Sequence, residues 1–412
     1  MIGSLYSGIS GLKSNTSAMA VIGDNIANVD TTGFKVSRVS FSNVFSSTLG
    51  QNKLQIGRGV TMSSVSSYWG SGSLENTNNP TDLSINGKGM FVVKDQNNGV
   101  QFYTRSGKYE FDNEGNLITQ DGMRVQGFTI STAGVIGGLD DIALPAGVSA
   151  PQATDEITIG LNLDAGASVG DTFDTTMTAY DSLGNPVDLT LTFTAADPAV
   201  AAPGAATAWT WAVNPSEGAC ASTGTFAFDT NGNLDPTLGV PVSANAPIAV
   251  TGLTGDDLNI TWTYLDTLGA TDGSITGYTS TSAKSAQTQS GYSSGTLQGV
   301  SVNEEGIFSG IYSNGYTMSF AQIALANFGS YSGLNKEGSN LFSESLASGQ
   351  AVISAPGSAG VGTITSNTLE MSNVDLANEF VELITTQRAF QANSKVITTS
   401  DEILAELINI KR

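Results

Sequence analysis

Short runs in which apolar and small residues alternate recur through the middle of the chain. Examples are 157–163, 189–193, 209–213 and 260–264, where Thr, Asn, Gly or Ala separates Ile, Leu, Val, Phe and Trp. Successive side chains of a β-strand point to opposite faces, so this period of two predicts strands with one buried and one solvated face. The body of the chain is therefore predicted to be rich in β-structure.

Many of the predicted turns share one motif, an Asp or Asn followed three residues later by Gly. The leading side chain can accept backbone N–H groups two residues ahead, and Gly supplies the positive φ that closes a hairpin loop. A calcium loop is the alternative for 229–235, but EF-hand spacing requires Gly where Leu234 stands. We therefore interpret these motifs as hairpin turns. They lie at 112–115, 181–184, 229–232, 266–269 and 303–306.

The C-terminus carries the clearest helix pattern. Ser372 and Asp375 fit a capping box that begins a helix at Leu376. Alternating steps of four and three residues then trace a coiled-coil-like seam of about five heptads. The apolar members of this seam are Leu376, Phe380, Leu383, Phe390, Ile397, Leu404 and Ile408.

The N-terminus shows a weaker copy of the same pattern. Glycine interrupts it at positions 3, 8, 11 and 23, and each glycine lowers helix stability by about 1 kcal/mol relative to alanine. Such a helix needs a packing partner. We expect the two terminal seams to pack together or against copies of themselves. The alternative is that they form one buried helical hairpin in a single chain. The apolar members of the N-terminal seam are Leu5, Ile9, Leu12, Met19 and Ile26.

The composition excludes most catalytic and metal sites. The chain of 412 residues contains no histidine and one cysteine, Cys220. Without histidine, neither a Ser-His-Asp triad nor a His-ligated zinc site can form, and one thiol cannot build a Cys-based metal site. A nucleophile-elbow pattern at 291–295 lacks its histidine and its preceding apolar strand. We therefore expect no enzyme and no cofactor.

Charge is distributed unevenly along the chain. The formal net charge is −21, and residues 125–283 hold 17 of the 37 acidic residues but none of the 16 basic ones. Nucleic acid is excluded as a partner, because phosphate binding needs clustered Lys and Arg. The shift indicates an acidic, solvent-facing domain inserted into a nearly neutral one. The alternative is a well-solvated surface without a further role.

Neither a membrane span nor a secretory signal is evident. No segment approaches the roughly 18 consecutive apolar residues of a span. The first 30 residues lack a basic start and an unbroken apolar run. We expect no membrane insertion, and export by a route that cleaves no signal peptide.

These patterns together predict a mainly β fold with terminal α-helices. The two helices are expected to pair as a coiled-coil-like inner domain, and two β-rich outer domains are expected to be nested by insertion. The predicted parts are an inner helical assembly domain with a connector (1–75 and 366–412), a discontinuous β domain (76–148 and 284–365) and an inserted acidic β domain (149–283).

Two dense motifs at the chain ends carry a family resemblance. The segments 25–35 (NIANVDTTGFK) and 372–393 (SNVDL through QRAFQAN) resemble the N- and C-terminal signatures of bacterial flagellar rod and hook proteins. Within that family the hook proteins match best, since rod proteins are usually shorter and lack so large an inserted middle. The signature residues are Asn25, Asn28, Gly33, Phe34, Gln387, Arg388, Phe390 and Asn393.

The resemblance implies a structural role in motility. Hook subunits self-assemble into a curved, flexible helical tube that transmits torque from the rod to the filament. The terminal helices would line the inside and the acidic domain would lie outermost. The alternative is another axial flagellar subunit, such as a distal rod or junction protein.

The resemblance also implies partners and a location. The partners would be many copies of the same chain, the distal rod protein, the hook cap, the hook–filament junction proteins and the flagellar type III export apparatus. The place would be the hook of the basal body, outside the cell.

Overall fold

A computed structural model of the chain describes residues 2–45, 57–131, 134–238, 246–264 and 273–410. The helices are α1 (Ile2–Ala27), α2 (Pro198–Ala201) and α3 (Leu376–Ile410), with a 3-10 turn at Tyr331–Gly333. The strands β1 to β30 are, in chain order, Ser37–Phe45, Gly57–Ser67, Leu74–Asn76, Leu83–Asn86, Met90–Lys94, Gln101–Thr104, Tyr109–Phe111, Leu117–Thr119, Arg124–Ile130, Ile136–Asp141, Val148–Ser149, Glu156–Asn162, Thr172–Tyr180, Pro186–Ala196, Thr207–Pro215, Ala219–Cys220, Thr223–Phe228, Ala246–Thr251, Leu258–Trp262, Ile275–Thr276, Ala283–Gln289, Gly295–Val302, Ile307–Tyr312, Thr317–Ile323, Leu325–Asn327, Asn335–Gly338, Leu341–Ser343, Val352–Ser354, Thr363–Ser366 and Thr368–Glu370.

The chain forms two compact units. Unit 1 comprises Met1–Pro145, Gly299–Gly310 and Met318–Arg412, and unit 2 comprises Ala146–Gln298 and Ile311–Thr317. The prediction of a mainly β fold with helices at both ends is confirmed. The division into three nested domains, with its boundaries, stays a prediction.

Unit 2 is built from two β-sheets around an aromatic core. One sheet has the strand order β16-β18-β19-β12-β20, with β21 also paired to β12, and the other has the order β13-β14-β15-β17. The ring of Trp262 lies 5.3 Å from that of Phe226 and 5.4 Å from that of Trp211. Strand β19 alternates between buried and exposed residues, as its sequence pattern predicts.

Unit 1 contains a mixed set of sheets with a central strand, β5. Its main sheet includes the order β24-β9-β5-β6-β27-β26. Phe91 and Val93 of β5 belong to one apolar cluster, and Met90 and Val92 belong to another. The strand is therefore buried on both faces, which explains its unbroken apolar run.

The Asx-Gly turns form as the sequence predicts wherever the structure describes them. Asp181 Oδ1, for example, accepts the backbone N–H groups of Leu183 at 2.9 Å and of Asn185 at 2.8 Å. The closing glycines of the four described turns have φ between +72° and +87°. The fifth motif, 266–269, lies outside the described residues. Asp229 Oδ1 likewise accepts two backbone N–H groups, those of Asn231 and Asn233. This supports a hairpin turn rather than a calcium loop.

One part of the predicted N-terminal connector is a long hairpin instead. Strand β2 pairs antiparallel with β1, in a register that sets Val39 opposite Val65 and Phe41 opposite Met62. Ser, Thr and Gly fill most of the remaining positions of β2, a composition that is typical of a linker. The cross-strand hydrogen bonds override that weak local preference.

Candidate functional site

The two terminal helices pack against each other in antiparallel orientation. Gly8 of α1 lies beside Ile397, near the end of α3, and Asn25 Nδ2 donates to Glu379 Oε2, near its start, at 3.1 Å. The approach is close at the glycines, since a Cβ at Gly11 would come within 2.8 Å of the Asn393 amide. The glycines that weaken α1 in isolation therefore allow the helices to meet.

The buried face of α1 is made mostly of small and polar residues, with Ile22 as its one large apolar residue. Going along the helix, its buried positions are Gly8, Gly11, Ser14, Ala18, Ile22 and Asn25. Ser14 Oγ and Ser10 Oγ also hydrogen-bond to the backbone of Val60 in β2. This face is offset by one residue, about 100° around the helix, from the predicted apolar seam.

The predicted seam of α1 is left partly open to solvent. Ile9 is 46% exposed, and Leu5, Leu12, Met19 and Ile26 are half-buried. Tyr6, which the seam does not include, is 62% exposed. The fold of the single chain thus does not fully bury the seam residues that the sequence analysis assigns to assembly.

The predicted seam of α3 divides into two parts. Leu376 and Phe380 are exposed, whereas half-buried side chains follow further along the helix. The side chain of Ile408 lies outside the described residues. The half-buried members are Leu383, Phe390, Ile397 and Leu404.

Further exposed apolar residues accompany the seams, and sequence reasoning missed them. On α3 they are Val381, Ile384, Val396 and Ile403. The β1–β2 hairpin adds Phe41, Val44, Met62 and Val65. The partial alternation at 39–41 in β1 and at 60–62 in β2 could have indicated a two-stranded hairpin, but the additional α3 positions lie off the chosen heptad steps.

The start of α3 differs from the predicted capping box. Asp375 Oδ1 accepts the backbone N–H groups of Ala377 at 2.9 Å and of Asn378 at 3.3 Å, so Asp375 is the N-cap. Ser372 Oγ instead accepts the N–H of Val374. The prediction that Ser372 caps the helix is wrong, because the residues between it and Leu376 are not helical.

The N-terminal signature residues have structural roles within the chain. Asn25 exchanges two hydrogen bonds with the backbone of Ser37, both of 2.9 Å, and so joins α1 to β1. Asn28 donates to the carbonyl of Asp24 beyond the end of α1. Gly33 has a φ of +72° and lies so close to the next loop that a Cβ would meet Ser106 N at 2.6 Å. Phe34 is buried.

The C-terminal signature residues are more open. Gln387 and Arg388 are exposed, and their side chains have no hydrogen-bond partner among the described residues. Phe390 is half-buried. Asn393 donates to the carbonyl of Ala389 and fills the space beside Gly11.

A buried ionic cluster joins both terminal segments to the β-structure of unit 1. Glu370 accepts from Lys35 Nζ and from Arg105 Nε, each at 2.6 Å, and all three residues are 5% exposed or less. Arg105 also donates to the carbonyls of Ile85, Gly87 and Gly89. A buried carboxylate shared by two cations fixes the chain segments that carry them.

The two cations keep Glu370 ionised. Burial alone would raise the pKa of Glu370, but Arg105 and Lys35 outweigh it and hold the pKa below its ordinary value. Lys35 is the last residue of the N-terminal segment that resembles the family, whereas nothing in the sequence marked Glu370. Its ion-pair partners are far away in the sequence, so no local pattern predicts the role of Glu370.

Two further structural findings bear on function. Within the described ranges, no group of three or more His, Cys, Asp or Glu side chains is arranged to hold a metal ion. Among the described helices, none combines the length and apolar character that crossing a membrane requires.

Family models match successive parts of the chain. Those described as "Flagella basal body rod protein" and "Flagellar basal body rod FlgEFG protein C-terminal" match the two ends, 5–35 and 365–410. Those described as "Flagellar hook protein FlgE/F/G D1 domain" and "Flagellar basal body protein FlaE D2 domain" match 84–162 and 162–292.

Full-length relatives decide the family. The flagellar hook protein FlgE of Borreliella burgdorferi is 35% identical to the chain over 456 residues, which covers 100% of both. The flagellar hook protein FlgE of Treponema pallidum is 34% identical over 472 residues, again covering 100% of both. The chain belongs to the flagellar hook protein family. The predicted role as a structural component of the flagellar hook is thereby confirmed.

A solved structure agrees with this hook family fold. The crystal structure of the Helicobacter pylori flagellar hook protein FlgE2 superposes with a TM-score of 0.55 and 13% identity, covering 72% of this chain and 100% of that one. At this identity the likeness shows the fold alone. Hook family membership also implies polymeric assembly in the flagellar basal body.

Proposed function

We propose that the chain polymerises through its terminal helices and the β1–β2 hairpin into the curved, flexible tube of the hook. The observation that carries this proposal is the set of apolar side chains that these elements leave exposed, including Ile9, Phe41, Phe380 and Ile384. Monomeric proteins rarely expose so many apolar residues on neighbouring elements unless a partner covers them.

The coiled-coil-like seams serve contacts between copies in this proposal. The face of α1 that meets α3 is small and polar, so the seam residues stay available. A contact between different faces of neighbouring copies does not close on itself and generates a helical array. Gln387 and Arg388, which lack partners within the described chain, would add polar contacts to such an interface.

The remaining domains would lie outside the helical inner layer. We propose the three-part division of 1–75 with 366–412, 76–148 with 284–365, and the inserted 149–283. The inserted part would be outermost, because its uniform negative charge favours solvent and opposes close association with copies of itself. Torque would then pass from subunit to subunit while the outer surfaces slide.

Partners and the route of assembly follow from the same proposal. The chain would contact the distal rod protein at one end of the tube and the hook cap or junction proteins at the other. It would leave the cell through the flagellar type III export apparatus. The terminal helices would order fully only on joining the array.

Assembly can be tested at an exposed seam residue. Phe380→Asp places a charge where the single chain has an open apolar side chain, so it should leave the fold intact and abolish polymerisation. The matched control is Val200→Asp, which changes an apolar residue that is 81% exposed in unit 2. Electron microscopy of polymerised chains gives the readout. Normal tubes from Phe380→Asp, or equal loss from Val200→Asp, would contradict the proposal.

The place of the chain within the flagellum can be tested separately. An epitope inserted after Gly252, where a turn leaves open space, should be labelled by immunogold on a short curved segment between cell body and filament. Label confined to stripped basal bodies would instead indicate a rod subunit.

A further inference from the structure

A small cavity lies beside the buried ionic cluster in unit 1. Its volume is about 110 Å³, and its walls include Lys35, Trp69, Lys88, Arg105 and Tyr331. One water occupies about 30 Å³ of liquid. The cavity therefore has room for a small ion together with about two waters.

The charges around this cavity do not balance. Lys35 and Arg105 are both buried, and Glu370 is the only carboxylate bonded to either of them among the described residues. The cluster thus carries one surplus positive charge, and Lys88 adds another cation at the cavity wall. A buried charge without a counter-charge is costly to a folded protein.

Two residues that line the cavity also carry hydrogen-bond donors that are unused within the described chain. Lys35 Nζ donates to Glu370 and to the carbonyl of Gly70, which leaves its third N–H without a partner in the described chain. Trp69 Nε1 is buried and has no partner among the described residues. The indole ring packs between two aromatic rings, with its centroid 5.3 Å from that of Tyr331 and 5.0 Å from that of Phe342. These contacts keep it from turning toward water.

We propose that this cavity binds a small monovalent anion, either a halide or a carboxylate group. The anion would accept hydrogen bonds from Lys35 and Trp69 and would neutralise the surplus charge. Burial lowers the pKa of Lys35, and a bound anion would oppose that effect by favouring the charged amine. A free ion and a carboxylate side chain from a second copy offer the same chemistry.

A direct test uses bromide as the probe. Crystals of the full chain grown in sodium bromide should show an anomalous peak within hydrogen-bond distance of Lys35 Nζ and Trp69 Nε1. A cavity without a peak at high bromide concentration would overturn the proposal.

A solution test measures the thermal midpoint of the monomer at constant ionic strength. Replacing the sodium salt of HEPES, whose anion as a whole is larger than the cavity, by 100 mM sodium bromide should raise the midpoint by about 3 °C if the bromide concentration is roughly ten times its dissociation constant. Trp69→Phe, which keeps the ring but removes the N–H, should shrink that rise. An equal midpoint in both salts would overturn the proposal.

The matched control is Trp262→Phe. Trp262 Nε1 is also buried without a partner among the described residues, but its neighbours in unit 2 are aromatic rather than cationic. This variant should keep the full bromide-dependent rise, whatever its own stability. A loss of the rise equal to that in Trp69→Phe would show that the effect does not arise at the cavity.

Assembled hooks distinguish the source of the anion. If a carboxylate from a neighbouring copy fills the cavity, sodium acetate and sodium bromide should stabilise the monomer and lose their effect on the polymer. If a free ion fills it, bromide should stabilise both states.

Discussion

The core of unit 2 and the contact between α1 and α3 are built from opposite kinds of residue. In unit 2 the largest side chains point inward, and Trp262 and Phe226 are almost completely buried. Between the helices the inward residues are Gly8 and Gly11, while Phe380 is 49% exposed. The first region hides its apolar surface and the second displays it.

This difference indicates which part of the molecule is stable in a single chain and which part depends on assembly for its stability. Burying a large apolar side chain contributes about 1.5–3 kcal/mol, and a glycine contributes almost nothing of this kind. Unit 2 therefore has a closed core of its own. The helix pair gains little from its own contact and is suited to gain more from neighbouring copies.

The largest expected effect removes the centre of the closed core. Trp262→Ala should destabilise unit 2 by about 3–5 kcal/mol, because it leaves a cavity among rings that cannot close together. Denaturant unfolding followed by tryptophan fluorescence measures this loss. A decrease below about 1 kcal/mol would mean that the sandwich repacks freely and that the contrast with the helices is weaker than the structure indicates.

The ionic cluster should make the attachment of the helices sensitive to acid, unlike the apolar core of unit 2. The folded pKa of Glu370 lies below its ordinary value near 4.5, so its stabilisation is present above that value and is lost as the pH falls through the folded pKa. Glu370→Gln should cost about 3–5 kcal/mol at neutral pH, because two buried cations lose their shared carboxylate.

Unfolding curves from pH 7 to pH 3 test this prediction. Glu370→Gln should weaken the acid dependence of unit 1, whereas Glu304→Gln, at an exposed site, should leave it unchanged. Identical acid profiles for all three chains would show that Glu370 contributes nothing to it.

Gly33 tests the close approach between the N-terminal segment and the β-structure. Gly33→Ala should cost about 2–4 kcal/mol, from left-handed backbone strain and from a clash with Ser106. Gly122→Ala is the matched control, since Gly122 has a φ of +78° and open space around it. It should cost only the strain, about 1 kcal/mol. Equal losses of unfolding free energy in the two variants would show that the clash with Ser106 contributes nothing to the cost.

The smallest expected effect distinguishes two glycines of α1. Gly23 has open space around it, so Gly23→Ala should stabilise the helix by up to about 1 kcal/mol. Gly11→Ala gains the same helix propensity but must displace Asn393, so its net effect should be near zero or destabilising. Helix content during thermal unfolding, followed by circular dichroism, compares them. A stabilising Gly11→Ala would show that the helices can move apart without loss.

Local patterns in the sequence predicted much of the fold. The alternation in β19 and the turn at Asp181 depend on neighbouring residues, and both appear as expected. The terminal helices were also predicted, but not which face of α1 is buried. An apolar seam predicts the buried face only where apolar residues face inward, whereas α1 buries Gly11 and exposes Ile9.

The ionic cluster could not be predicted, because its members meet only in the folded chain. Glu370 is the last residue of a short strand, β30, and has no periodic neighbour that would mark it. The surplus charge and the unpaired indole N–H of Trp69 cannot be predicted from the sequence either. Both depend on which carboxylates and hydrogen-bond acceptors lie nearby in the folded chain.

The pairing of Gly8 with Ile397 also has a consequence in time. These residues are separated by almost the entire chain, and contacts so distant in sequence form late. During synthesis, α1 emerges long before α3. The helix that carries Gly8 therefore waits, unpaired, until Ile397 and the residues around it have been added.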